Sequence, residues 1–169
     1  TILLEDKNKN STGIEVEVFP VPGKVALFLE DKTKGNNFGT NAEDTIGLKI
    51  IDTKTKKYFF YIPGCADMTD NLKNRLKGAP LVFFDGTLWK DDEMLTAKVG
   101  VKKTGQRMGH MSMSGNKGSI EMFKDLNVKK KIFIHINTTN PALLEDSLER
   151  KKANEEGWEV SYDGMEVNL

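Results

Sequence analysis

Leu81-Val82-Phe83-Phe84-Asp85-Gly86-Thr87 is the stretch whose reading decides the fold. Four apolar residues run without interruption, with a turn signal on either side, and the run ends on a carboxylate. A continuous apolar run of this length is how a strand buried on both faces of a parallel sheet reads, since neither set of alternating side chains meets water. Ile132-Phe133-Ile134 repeats the pattern and ends on His135. In open α/β sheets ligands gather at the carboxyl ends of such strands. An isolated charge leaving a buried strand is too costly unless it is paired, hydrogen-bonded or metal-bound.

Outward from these two strands the pattern is mixed. Ile14 to Phe19 alternates apolar and charged residues, the period of a half-buried strand, and Pro20, Pro22 and Gly23 close it. Val25 to Leu29 reads as the next strand, and residues 30–43 as a long polar surface loop. Ile46 to Ile51 and Tyr58 to Ile62 flank a connection of hairpin length. Thr69 or Asp70 caps a short helix containing Leu72 and Leu76. Ser119 to Phe123 suggests a short helix, and Pro141 to Asn154 a longer one with Leu143, Leu144 and Leu148 on one side. Trp158 to Val160 and Met165 to Val167 read as terminal strands around the Asp163-Gly164 turn. The class is α/β or mixed α+β, in a single segment spanning residues 1–169.

Composition excludes several functions. The 169 residues carry 25 basic and 25 acidic side chains, a formal net charge of +0, which removes the global electrostatic argument for nucleic acid or an acidic membrane. No apolar run approaches the roughly 20 residues of a spanning helix. The run Lys129-Lys130-Lys131 reads as a solvated approach to the strand behind it. Cys65 is the single cysteine, which excludes an internal disulfide framework and a Cys-rich structural zinc site, and fits a reducing, cytoplasmic setting. Its position after Pro63-Gly64 allows a nucleophile, but a small packing residue is the stronger reading.

The chain has two histidines, and both stand in unusual settings. His135 ends an apolar strand; His110 lies in Met108-Gly109-His110-Met111-Ser112-Met113-Ser114-Gly115, a loop whose glycines let backbone approach a ligand. Two imidazoles and a carboxylate form the donor set of non-haem iron oxygenases, and suit zinc hydrolases equally. Spacing alone leaves the alternatives open: Asp85 as a turn residue bonding nearby amides, His135 as a satisfied core histidine. Met108, Met111 and Met113 read as packing rather than as a soft copper site. Gly35 to Gly39 lacks the ending of a phosphate loop, and no nucleophile elbow surrounds Ser112 or Ser114.

Several longer motifs resemble the pyrroloquinoline quinone biosynthesis protein B family. They are Phe83 to Trp89 with Asp91-Asp92-Glu93-Met94, Met108 to Met111, His135 to Pro141, Glu145 to Arg150, and Tyr162 to Met165; Phe19 to Lys24 and Tyr61 to Cys65 extend the match toward the start. The resemblance implies the metallo-β-lactamase fold, an αββα sandwich with its metal site along one edge of two facing sheets. It implies metal ligation by His135, Asp85 and His110, with His110 and Asp85 as the catalytic pair and His110 as either a ligand or a substrate-side group. It further implies a cytoplasmic Fe(II)- and oxygen-dependent enzyme that hydroxylates the tyrosine ring of a small peptide-derived, Glu–Tyr cross-linked substrate. Zinc hydrolysis on the same fold and carriage of the finished cofactor are the other expectations. Asn137 and Asn140 are placed to orient ligands or to cap the turn before Pro141; Arg150 is placed to pair with a substrate carboxylate or with Glu149.

The family's first half, with its Asp-His metal anchor and Cys-rich segment, has no counterpart here. The chain therefore reads as the C-terminal half of the sandwich, with the N-terminal half of the protein or a partner chain, or self-association, expected to cover its exposed sheet face. Alone, it is expected to be a poor enzyme.

Overall fold

A computed structural model describes residues 1–100 and 103–169. Among the described residues, seven strands form one mixed sheet in strict chain order: β1 (Ile2–Glu5), β2 (Ser11–Pro20), β3 (Ile46–Asp52), β4 (Tyr58–Ile62), β5 (Leu81–Asp85), β6 (Lys130–Ile134) and β7 (Trp158–Val160). The first four run antiparallel as a meander, with polar turns between β1 and β2 and between β3 and β4, and a long connection, residues 21–45, between β2 and β3. From β4 onward every pairing is parallel. Parallel neighbours need crossover connections, and these carry five helices: α1 (Asp70–Leu76), α2 (Glu93–Ala97), α3 (Gly105–Met108), α4 (Ser119–Met122) and α5 (Leu148–Glu155). Thr69 caps α1 as its sequence predicts, its hydroxyl accepting the Leu72 amide at 3.3 Å.

Side chains alternate across a strand, so the register sorts them onto two faces. One face presents Phe19, Phe60, Ile62, Val82, Phe84, Phe133, Trp158 and Val160. Leu72 and Leu76 of α1, Ile120 of α4, Ala153 of α5 and the connector residues Phe123 and Leu126 close over it into one core. Its centre is aromatic: Phe133 stacks on Trp158 at 3.9 Å, and Phe123 meets both Phe84 and Trp158 edge-on at 4.9 Å. The opposite face carries Ile14, Val16, Val18, Leu48, Ile50, Phe59, Tyr61 and Phe83, all exposed or half-buried, and Leu81 and Ile132, which are buried. Phe83, half-buried, is the one residue of β5 that departs from the expectation of a strand buried on both sides; Leu81 and Asp85, on the same side of the strand, are buried.

Other expectations are corrected as well. Val25 to Leu29 does not extend the sheet: Leu27–Leu29 is a short 3-10 turn with its side chains in solvent. The edges of β2 are already taken by β1 and β3, so no partner remains for another strand there. The loop after it holds a second 3-10 segment, Lys32–Asn37. Pro141 to Asn154 is not one helix. A 3-10 turn at Pro141–Leu143 is followed by extended backbone at Leu144, and Ser147 caps a new helix by accepting the Arg150 amide. Leu143, Leu144 and Leu148 face outward, and Ala153 is the buried residue of α5. Met165 to Val167 forms no strand, whereas Ile2–Glu5 does. No helix among the described residues is long and apolar enough to cross a membrane.

Phe84→Ala should destabilise the protein by about 3–5 kcal/mol, the usual cost of emptying a large aromatic site in a packed core. Phe28→Ala, in the segment that resembles a strand yet lies in solvent, should change stability by no more than about 0.5 kcal/mol. Chemical denaturation of the two variants checks both figures.

Candidate metal centre

Parallel pairing is what brings the distant sequence motifs together. Asp85, the last residue of β5, lies opposite Ile134 of β6, so His135 emerges beside it. The Gly86 amide donates to the Ile134 carbonyl at 2.8 Å. A Cβ at Gly86 would sit 2.9 Å from that of Phe133, so only glycine lets the two strand ends approach this closely. His135 itself has φ +55°, a left-handed conformation that a side chain adopts only at some cost. That turn swings the imidazole off the strand and into the space above Asp85.

His110 arrives from a third direction. Thr104 caps α3, whose last turn ends at Gly109 with φ +90°, and the His110 amide donates back to Gly105. A Cβ on Gly109 would meet Lys24 at 2.9 Å. Beyond it, the Met111 amide donates to the Cys65 carbonyl at 2.7 Å, which ties the histidine loop to the end of β4. The loop is braced from the other side by Arg107 of α3, whose two guanidinium nitrogens meet the Glu30 carboxylate at 3.1 and 2.8 Å. With Lys24 on the same carboxylate, the Glu30 pKa is held down to about 2.

Asp85 is the hub. It has no solvent exposure, and four donors meet its two oxygens. Oδ1 accepts the Thr87 amide at 3.0 Å and the Thr87 hydroxyl at 2.6 Å. Oδ2 accepts the Cys65 amide at 2.9 Å and faces His110 Nδ1 at 2.7 Å. Burial alone would raise the carboxyl pKa, but the hydrogen bonds from His110 and Thr87 and the nearby His135 imidazole outweigh it, so the group sits below 3.8. His135 is shifted the other way. Asp85 raises it above 6.5 against the opposing effect of burial; the two stand 4.0 Å apart, with the Thr87 hydroxyl bonded to both. Burial pushes the Cys65 thiol up to about 12, so it remains a protonated packing residue.

Asp85, His110 and His135 offer one ligand atom each within 4.8 Å of one another, and the two rings stack at 5.3 Å. By donor chemistry, two imidazoles and a carboxylate suit zinc or iron. The histidines open onto a cavity of about 330 Å3 lined by Thr87, Met94, Met108, Ile136 and Asn137. Asn137 therefore reaches the site, its side-chain amide anchored on Thr139. Asn140 is buried behind it as a structural brace, capping the Ala142 amide and donating to the Gly86 carbonyl. Arg150 is not among the lining residues; its Nε donates to the Ala142 carbonyl at 2.7 Å. Met111 and Met113 are core residues, as their pattern suggests, while Met108 walls the cavity. Sequence reasoning missed Thr87, although its place two residues after a strand-ending aspartate is where an Asx-type turn puts a hydroxyl.

The model of the beta-lactamase superfamily domain family matches residues 4–136 of this chain. Coenzyme PQQ synthesis protein B of Xanthomonas oryzae pv. oryzae (strain MAFF 311018) is 53% identical over 158 residues, which are 94% of this chain and 52% of that protein. The protein of the same description from Gluconacetobacter diazotrophicus is 56% identical over 155 residues, 92% of this chain and 49% of that one. The chain spans about half the length of the curated relatives it matches. Among solved structures, Zn(2+)-bound PqqB from Methylobacterium extorquens superposes with a TM-score of 0.84 at 46% identity, covering 93% of this chain and 51% of that one. The metallo-beta-lactamase fold protein YhfI from Bacillus subtilis has a TM-score of 0.56 at 11% identity, covering 92% of this chain and 50% of that one; that likeness speaks for the fold alone.

Asp85→Asn should destabilise the protein by about 1–3 kcal/mol, because an amide nitrogen would be set against donors that now meet carboxylate oxygens. The two pKa shifts act at opposite ends of the pH scale. The Asp85 contribution is present above 3.8 and lost as pH falls through its lowered folded value. The His135 contribution is complete below 6.5 and lost as pH rises through its raised folded value. In metal-free protein, His135→Gln should therefore flatten the stability profile above pH 6.5 and leave its acid limb in place, as denaturation across pH will reveal.

Proposed function

This chain belongs to the beta-lactamase superfamily domain family, and we propose that it carries one part of the metal-centred active site of a pyrroloquinoline quinone biosynthesis enzyme. The observation that carries this reading is the convergence of Asp85, His110 and His135 at adjoining strand ends, with every donor type one that a first-row metal accepts. The relatives' description as coenzyme PQQ synthesis proteins supplies the pathway. The finer activity we propose is Fe(II)- and dioxygen-dependent hydroxylation of the tyrosine-derived ring of a Glu–Tyr cross-linked precursor.

When bound at this cluster, such an ion supplies the redox chemistry. The chain's own residues do the rest. His135, on the end of a buried strand, and His110, on a loop tied to Cys65 and Glu30, are held by rigid elements that need little reorganisation. Met94, Met108 and Ile136 give the cavity apolar walls that keep water from the reacting ring. Asn137 presents an amide, already oriented by Thr139, for a polar substituent of the substrate. Tyr61, Phe59, Phe83, Ile50 and Val18 form an apolar sheet face, and on it we place the second sheet of the sandwich, contributed by the protein's N-terminal half or by another chain.

A zinc-dependent hydrolase is the second reading, favoured by the Zn(2+) bound to the Methylobacterium extorquens relative. Metal analysis of the full-length protein, followed by turnover assays with and without oxygen, separates the two. Fe(II)- and oxygen-dependent product formation supports hydroxylation; equal turnover under anaerobic conditions overturns it. In the same assays His135→Ala should weaken metal binding by more than the roughly 10–100-fold that loss of an outer-shell partner costs.

A further inference from the structure

The sequence offers Arg150 as the partner of a substrate carboxylate, and the structure draws it to the Ala142 carbonyl instead. Among the described residues, no lysine or arginine lines the cavity at the histidines. Cations line a second cavity, of about 410 Å3, that borders α3. Lys24 and Arg107 both face it, with the amides of Asn36, Asn37, Asn41 and Gln106, and among the described residues no acidic side chain does. The larger cavity next to it carries Asp67 and Asp91 beside Lys90 and Lys117, so its formal charges cancel. Glu30 is the counter-ion of both Lys24 and Arg107, yet its side chain is 6% exposed and lies outside the lining. Two cations against one carboxylate leave one positive charge over, and the buried position of the carboxylate turns that excess toward the open space. Arg107 is also fixed in orientation: Glu30 holds both of its terminal nitrogens, and the Phe38 ring lies 3.8 Å from the guanidinium carbon. A guanidinium has five N–H donors and an ammonium three, so contact with one carboxylate leaves donors on both side chains to spare.

We propose that the Lys24–Arg107 cavity is the subsite for a carboxylate of the substrate whose ring occupies the histidine cavity. This rests on the reading of the substrate as a Glu–Tyr cross-linked acid, and it gives Lys24 and Arg107 the role expected of Arg150. The two cavities share one short wall: Gln106 and Arg107 line this one, Met108 and His110 the other. The four residues of α3 rise about 6 Å, and two extended residues reach about 7 Å. A molecule of dipeptide size therefore bridges the wall. Arg107 presents a planar fork to the carboxylate, and Lys24 adds a second charge beside it. Holding the acid group in one cavity and the ring in the other fixes the ring's orientation toward Asp85, His110 and His135.

Calorimetry on the Zn2+-loaded full-length protein tests the subsite with two probes: the dipeptide Glu-Tyr, with two carboxylates, and Gln-Tyr amide, in which both are amides. The wild type should prefer the acid by about 10–100-fold, the worth of a charge-assisted hydrogen bond. Because both probes meet the same protein, the ratio of their affinities cancels any general loss of the site. That ratio should fall to within about threefold in Lys24→Met, and by less in Arg107→Lys, which keeps the charge and loses the fork. In Glu30→Gln it should widen several-fold, because the internal anion that competes for both cations is gone. An acid preference unchanged in Lys24→Met and Arg107→Lys belongs to the metal and overturns the assignment, as does a ratio that Glu30→Gln narrows. Binding of inorganic phosphate through Lys24 and Arg107, with no preference for Glu-Tyr over its amide, overturns it too and leaves a free-anion site. An acid preference carried by both cations, in a protein whose turnover is equal with and without oxygen, sustains the subsite and defeats the hydroxylation reading alone.

Discussion

A carboxylate removed from water must find donors for its oxygens, and at Asp85 that requirement organises the whole site. Its four partners come from three segments: the Cys65 amide after β4, the Thr87 amide and hydroxyl after β5, and the His110 imidazole on the loop after α3. Each bond also places the segment that donates it. Without a charge at this position the amides of Cys65 and Thr87 would be buried without partners, and the imidazoles would lose the field that orients them. Stability and the geometry of the candidate site thus share one group, and a change to Asp85 acts on both.

The parallel half of the sheet makes this sharing possible. β4, β5 and β6 run side by side in one direction, so the loops that follow them open on the same edge and deliver Cys65, Asp85 and His135 within reach of one another. The antiparallel half contributes no ligand. It extends the apolar face that remains uncovered and supports the loop whose Glu30 braces Arg107 and, through α3, His110. Crossover helices seal one side of the sheet into an aromatic core around Phe84, Phe123, Phe133 and Trp158. That packing lies directly beneath the two strands that carry the functional residues, which is why their ends are rigid.

Much of the strand pattern was legible because burial leaves a period in the sequence. The alternation at Ile14 to Phe19 and the unbroken runs before Asp85 and His135 correspond to β2, β5 and β6. The misreadings share one cause. Leu27 to Leu29, Met165 to Val167 and Leu143 to Leu148 are apolar enough to suggest a strand or a helix face, yet their apolar side chains stay exposed or half-buried. Local hydrophobicity reports what a segment can bury and not whether a neighbour is free to receive it. β1 was overlooked for the converse reason: its pairing with β2 supplies order that its exposed side chains do not announce.

By itself the sequence singled out the candidate residues: its two histidines, an aspartate at the end of a buried strand, and motifs that resemble a family. It could not say how those groups meet. Only the tertiary structure decided that Asn137 reaches the cavity while Arg150 is drawn to the Ala142 carbonyl, and that Thr87, an ordinary residue in a turn, stands between Asp85 and both imidazoles. The physical reason is that residue type follows from chemistry along the chain. Hydrogen-bond partners follow from strand register and loop anchoring, which bring together positions as far apart as Thr87 and His135.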